Sequence, residues 1–333
     1  MLANPTLYDV AREAGVSLAT ASRALNGSSR VVKEEYRERV LAAAQRLGYT
    51  PNLSAQAVAR GTSSTVALLV SDIADPYFSS IAAGVNRAAA AEGLAVTMAV
   101  TNRDPAQELA LVRILRGQRP RAIILAGSRF TAEDDRETLL AELGAYLETG
   151  GSVSLISQHD LPFDTVAIDN AAGAGQLATA LVGLGYRGFG ILAGPENLVT
   201  ARDRATAFAG SLPAPPLAVV HGAFSREAGY AGMLQLLDSG MEGLDAVFAV
   251  NDVMAIGALA ALRDRSLTTA SVAVAGFDDI PMAADANPPL TTVRVDLEAA
   301  GASAVELALD DGHSPATVRV PVEVVVRAST PGR

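Results

Sequence analysis

Hydrophobic positions along the chain change period at about residue 63. Before it the spacing is helical: Leu7, Val10, Ala11, Ala14 and Val16, then Ala21 and Leu25, then Tyr36, Val40, Ala43, Ala44 and Leu47. Thr6, three residues ahead of Asp9, is placed to cap a first helix, and Gly15 to stop it in the left-handed conformation. Ser17 opens a second helix after a tight turn, and a third runs over 33–47. Two short helices joined by a Gly-containing turn, with a third covering them, predict a helix-turn-helix unit. After Ser64 the near-continuous apolar runs TVALLV, RAIILAG, FGILAG and AVFAV alternate with amphipathic stretches. That β-α-β-α rhythm means parallel strands buried between helices. It runs through twice, which predicts two doubly wound lobes. The stretch 290–309 is expected to cross back to the first lobe, and 318–330 to close it as strands.

The expected fold is therefore α/β: a three-helix head (1–50), a hinge (51–62) and a two-lobed parallel-sheet body (63–333). Lobe 1 takes about 63–162 with part of 291–333, and lobe 2 about 163–290. Composition narrows the function. Half of the 333 residues are hydrophobic, yet no run reaches the roughly 18 apolar residues of a membrane span. The start lacks the basic-then-apolar pattern of a secretion signal, so the expected location is the cytoplasm. With no Cys, disulfides and thiolate metal sites are excluded. Residues 1–60 carry eight Lys or Arg against five Asp or Glu, about +3, which leaves about −13 for the rest of a chain whose total is −10. An acidic body repels phosphate, so nucleic-acid contact belongs to the head.

No residue is nominated for catalysis. His159, His221 and His313 match no metal spacing, and no phosphate loop or nucleophile elbow occurs. Gly183-x-Gly185-x-x-Gly188 falls at a helix end leading into a strand, the reverse of a dinucleotide fingerprint. Gly173-x-Gly175-x-x-Ala178 follows a strand, but with the loop DNAA interposed. A nicotinamide-dependent enzyme therefore stays only as a rival reading, and no cofactor is expected.

In the head, the second helix offers Ser17, Leu18, Ala19, Thr20, Ser22 and Arg23 at its N-terminus and outer face, the end that enters a major groove. Arg23 can pair bidentately with guanine. Thr6, Tyr8, Ser22, Asn26 and Arg30 are candidates for phosphate contacts. Polar side chains also coat any small three-helix domain, so spacing alone leaves both readings open. The runs LYDVAREAGVSLATASRALNG, GYTPN and NLSAQAVAR, however, resemble the lactose-repressor/galactose-repressor (LacI/GalR) family of transcription regulators. The resemblance extends over nearly the whole chain. It implies that Leu18, Ala19 and Arg23 read bases, and that Asn52 to Ala59, with Ala55, Gln56 and Val58, form a hinge helix entering the minor groove. The family wedges a Leu between base steps where this chain has Val58, so a shallower wedge and a smaller bend are expected.

In open parallel sheets ligands bind beyond the carboxyl ends of the strands. There the chain offers Tyr77, Phe78, Asn102, Ser128, Asp169, Arg204, Phe224, Asn251 and Asp278. Carboxylate, amide and guanidinium groups grip vicinal hydroxyls, and aromatic rings cover a sugar's C–H face. Each has a plain alternative: Asn251 and Asp278 as helix caps, Arg204 as a surface partner of Asp203, the Phe residues as core. The resemblance implies effector contacts at Phe78, Arg204, Phe224, Asn251 and Asp278. The expected protein is a homodimeric, effector-responsive regulator of operator DNA, with a sugar-binding module lacking regulation as an alternative.

Overall fold

The computed structural model describes residues 5–26, 32–50, 63–127, 134–157, 161–240, 242–310 and 314–333. They form two compact units, Met1–Ser63 and Ser64–Arg333.

The first unit consists of α1 (Leu7–Ala14), α2 (Leu18–Asn26) and α3 (Glu34–Leu47). Thr6 and Asp9 close a capping box on α1, each side chain taking the other's backbone N–H. Gly15 ends that helix at φ +63°, the left-handed cap that a residue with a side chain adopts reluctantly. The Ser17 hydroxyl accepts from the Thr20 N–H at 3.1 Å and so starts α2. Val10, Ala11, Ala14, Ala21, Val40, Ala43 and Ala44 bury themselves between the three helices. These small residues let the helices approach closely.

The body begins with β1 (Thr65–Val70), α4 (Pro76–Ala91), β2 (Ala95–Val100), α5 (Pro105–Gly117), β3 (Ala122–Ala126), α6 (Asp134–Glu148), β4 (Ser152–Ile156) and β5 (Asp164–Ile168). It continues with α7 (Asn170–Gly183), β6 (Phe189–Ala193), α8 (Val199–Gly210), β7 (Ala218–His221), α9 (Arg226–Asp238), β8 (Ala246–Ala249), α10 (Asp252–Asp264) and β9 (Ala273–Ala275). It closes with α11 (Pro281–Asp285), β10 (Thr292–Val295), α12 (Leu297–Leu309), β11 (Thr317–Val320) and β12 (Val322–Val325). Lobe 1 is a parallel sheet in the order β11-β5-β4-β3-β1-β2; lobe 2 is a parallel sheet in the order β7-β6-β8-β9. The strands that read as unbroken apolar runs, β1, β3, β6 and β8, are all interior in their sheets, covered on both faces. The edge strands β2 and β7 are part-exposed.

Strand β10 pairs antiparallel with β12, Thr292 opposite Val325 and Val295 opposite Val322, in a ribbon that carries the chain from one lobe to the other and back. Helix α12 returns to lobe 1 and packs on α4. Residue pairs of small volume set that contact: a Cβ on Gly84 would stand 2.0 Å from the Glu298 carbonyl oxygen. Helices α9 and α10 in lobe 2 repeat the arrangement with Gly229 and Gly257. Beyond β12 the tail wraps lobe 2. Ser329 Oγ donates to the Val274 carbonyl at 2.6 Å, and Arg333 NH1 meets Asp245 Oδ1 at 2.8 Å.

Gly173 lies inside α7, where an added Cβ would come 2.9 Å from the side chains of Phe277 and Val293. It is a close-packing position within a helix, not a phosphate-cradling turn. Gly185, with φ +100°, turns the chain from the end of α7 towards β6.

Candidate functional site

Three of the strand-to-helix turns around the body's cleft are capped by a polar side chain. Asp75 accepts from the Tyr77 N–H, Ser225 from Ala228 and Asn251 from Met254, which fixes each strand-to-helix turn. These turns face one another across a cleft. Lobe 1 contributes Ser71, Asp75, Tyr77, Phe78, Arg103, Gly127 and Ser157; lobe 2 contributes Leu198, Thr200, Arg204, Phe224, Asn251 and Asp278.

Arg204 is the centre of the lobe 2 wall and is only 2 % exposed. Its Nε donates to Asn170 Oδ1 and its NH1 to the Val250 carbonyl, both at 2.8 Å. Its guanidinium lies 3.8 Å from the centre of the Phe277 ring, and NH2 lies 2.9 Å from Asp278 Oδ1. That last contact is an ion pair, and among the described residues no further group hydrogen-bonds to Asp278 Oδ1. In the lobe 1 wall, Arg103 NH1 donates to Asp72 Oδ2 at 3.0 Å, and NH2 stands 3.6 Å from Asp75 Oδ2. The same guanidinium sits 5.7 Å from the centre of the Phe224 ring, a cation–π contact between the lobes. Phe224 itself rests against Gly194, where a Cβ would meet the ring at 2.1 Å. Tyr77 and Phe78 meet edge to face at 4.9 Å.

Five of the seven described non-glycine residues with positive φ are Asn102, Arg103, Ser157, Asp278 and Asp279. Three of these line the cleft and the other two adjoin lining residues, so backbone strain gathers at one place. Burial pushes the Asp278 carboxyl up to about 7 against the pull of Arg204, and the Asp75 charge adds to the rise. Burial likewise raises Asp75, opposed by the Tyr77 N–H and by Arg103. Asp252 is raised well above the usual carboxylate range by burial, with Asp278 adding to it; its two oxygens accept from the Thr292 hydroxyl and the Ile280 N–H.

For Asp278, the unfolded chain releases its proton near 3.8 and the folded chain near 7. In between, the folded state binds more protons. Its contribution therefore favours the fold below the lower value and is lost as pH rises through the upper one. Urea midpoints followed from about pH 5 to about pH 8 should fall more steeply for the native chain than for Asp278→Asn. Parallel curves would contradict the raised carboxyl.

Of the residues singled out in the sequence, Tyr77, Phe78, Arg204, Phe224, Asn251 and Asp278 come together in the cleft. Asn251 both caps α10 and lines the cleft. Asp203 is paired with Arg202, at 3.6 Å, while Arg204 turns inward. Asn102 and Asp169 do not line the cleft. Asn102 is exposed and donates to Gln107 Oε1, because its left-handed turn swings Arg103 inward instead. Asp169 caps α7 through the Ala172 N–H, which leaves Asn170, the first helical residue, to hold Arg204. Ser128 lies outside the described residues. In the head, Tyr8, Ser17, Leu18 and Ala19 are exposed, and Thr20, Ser22 and Arg23 part-exposed. Leu18 is 49 % exposed and Tyr8 65 % exposed. Thr6 is engaged with Asp9. The side chain of Asn26, together with Arg30, Asn52, Ala55, Gln56, Val58 and Ala59, lies outside the described residues.

Comparison with known proteins decides the family. Residues 6–52 match the bacterial regulatory proteins, lacI family, and residues 178–330 a periplasmic binding protein-like domain. The transcriptional regulator CelR of Thermobifida fusca is 33% identical, the match covering 98% of each chain. The chain belongs to the LacI family. A Lac repressor dimer bound to operator and the anti-inducer ONPF superposes with a TM-score of 0.85 at 28% identity, covering 98% of this chain and 99% of that one. A CelR–cellobiose complex superposes with a TM-score of 0.70 at 30% identity, with the same coverage. The LacI-family assignment accounts for a DNA-binding head joined to a periplasmic-binding-protein-like body. It makes the chain a transcriptional regulator and not an enzyme.

Proposed function

We propose that the chain is an effector-responsive repressor that acts as a homodimer on a pseudo-palindromic operator. Each head lays α2 in a major groove, and the segments 51–62 of the two subunits meet in the minor groove between half-sites. A neutral sugar or sugar derivative binds between the lobes of the body. Its contacts alter the relative placement of the lobes and, through 51–62, the stability of the DNA complex. The observation that carries this reading is Asp278 Oδ1, buried, ion-paired to Arg204 at 2.9 Å and met by no other donor among the described residues. A ligand hydroxyl can donate to it while accepting from a guanidinium, and Tyr77, Phe78 and Phe224 offer faces for the ligand's C–H surface. The operator-bound Lac repressor dimer and the cellobiose complex of CelR lend support by similarity.

The DNA half of the proposal is tested with Arg23→Ala. Among the described residues Arg23 donates to the carbonyl of Ala19 in its own helix, at 3.1 Å, a contact easily exchanged for a base edge. Loss of a bidentate guanine contact should weaken operator binding by about 1–3 kcal/mol, measured at one fixed salt concentration. Undiminished affinity would remove Arg23 from the reading face.

A further inference from the structure

Asp278 and Asp279 stand where glycine is the ordinary choice, with φ of +113° and +54°. Surrounding structure must hold such a bend in place. On the backbone, the Asp278 N–H donates to the Val293 carbonyl at 2.8 Å, and the Val295 N–H donates back to the Asp278 carbonyl at 3.4 Å. Both partners belong to β10, one of the strands joining the lobes. The Asp279 side chain adds two arginines. Its Oδ2 accepts from Arg294 Nε at 2.7 Å, and its Oδ1 lies 2.7 Å from Arg327 NH1. Arg294 is on β10; Arg327 follows β12 and is anchored in turn on the Leu290 carbonyl at 2.8 Å. Asp279 does not line the cleft.

We propose that Asp279 is a positioning residue. By gripping Arg294 and Arg327 it holds the strained Asp278 backbone and aims the Asp278 carboxylate into the cleft. The cleft's buried acceptor is thereby tied to both strands that join the lobes, so a ligand's pull on Asp278 is delivered to them. That last consequence rests on the effector reading; the positioning role does not.

The test uses the full chain and needs no ligand. Asp279→Asn is introduced into two backgrounds, Asp278→Ala and Asp278→Gly, which lack the carboxylate equally and differ only in backbone strain. The expected result is a smaller fall in urea midpoint in the alanine background than in the glycine one, because releasing the grip also relieves strain that only the alanine carries. A purely structural ion pair gives equal falls, and that result overturns the proposal. In the otherwise native chain, Asp279→Asn should speed hydrogen exchange at the amides of Asp278 and Val295 by roughly tenfold. Unchanged exchange there also overturns it. If Asp279→Asn does not fold, Arg327→Lys, which keeps the charge and loses the planar fork, takes its place with the same expectations. Failure of the native chain to bind any sugar would sink the effector reading and leave this result standing.

Discussion

Arg204→Met should lower stability by about 3–5 kcal/mol at about pH 8, the range for breaking a buried ion pair from one side. Methionine refills most of the volume, so the loss reports electrostatics more than a cavity. Three bonds go at once: the ion pair with Asp278 and the hydrogen bonds to Asn170 and the Val250 carbonyl. The Asp278 carboxylate then lies buried with its principal counter-charge gone. It escapes by taking up a proton, so the loss should shrink towards about pH 5, where protonation is easy. Adding Asp278→Asn should recover part of the stability, since no buried carboxylate is left to neutralise. Urea denaturation of the two variants at both pH values checks this. A loss under about 1 kcal/mol at the higher pH, a value ordinary for an exposed pair, would mean that the pair is not the cleft's anchor.

Gly257→Ala should be nearly as damaging. A Cβ there would stand 2.0 Å from the Arg226 carbonyl oxygen and 2.8 Å from the Tyr230 nitrogen, backbone atoms that cannot swing aside. Helices α9 and α10 would have to separate, which opens the lobe 2 core beneath them. Overpacking typically costs about 1–3 kcal/mol, and a clash with two backbone atoms of the facing helix belongs at the top of that range. Gly144→Ala is the control. It lies within α6 with nothing inside 4 Å of the added Cβ, so the gain in helix propensity should stabilise by about 0.5–1 kcal/mol. Thermal melting separates the two substitutions; a similar effect from both would contradict the close helix contact.

These expectations also mark what the sequence could and could not disclose. Local chemistry was legible. Thr6 with Asp9, and Gly15, announce the first helix, and the apolar runs announce the interior strands because both faces of those strands are buried. Strand-end position picked out Asp278, since parallel topology sends every strand's carboxyl end to the same side; Arg204, inside α8, came from the loop beyond β6 and from the family resemblance. Single-residue direction was not legible. Arg103 and Asn170 enter the site one position after Asn102 and Asp169, through a left-handed turn in one case and a helix start in the other. A polar residue followed by an arginine just past a strand was the only available signal for Arg103. The grip of Asp279 on Arg294 and Arg327 joins segments far apart in the chain, so no local pattern carries it.

The account stands or falls on whether a ligand of the cleft changes DNA affinity. The direct measurement is an anisotropy titration of the full chain against a duplex chosen from random sequence, at fixed salt, with and without a saturating sugar that raises its melting temperature. The account predicts a change in dissociation constant of about 5- to 150-fold, absent in Asp278→Ala. Equal DNA affinity with and without the bound sugar would contradict it.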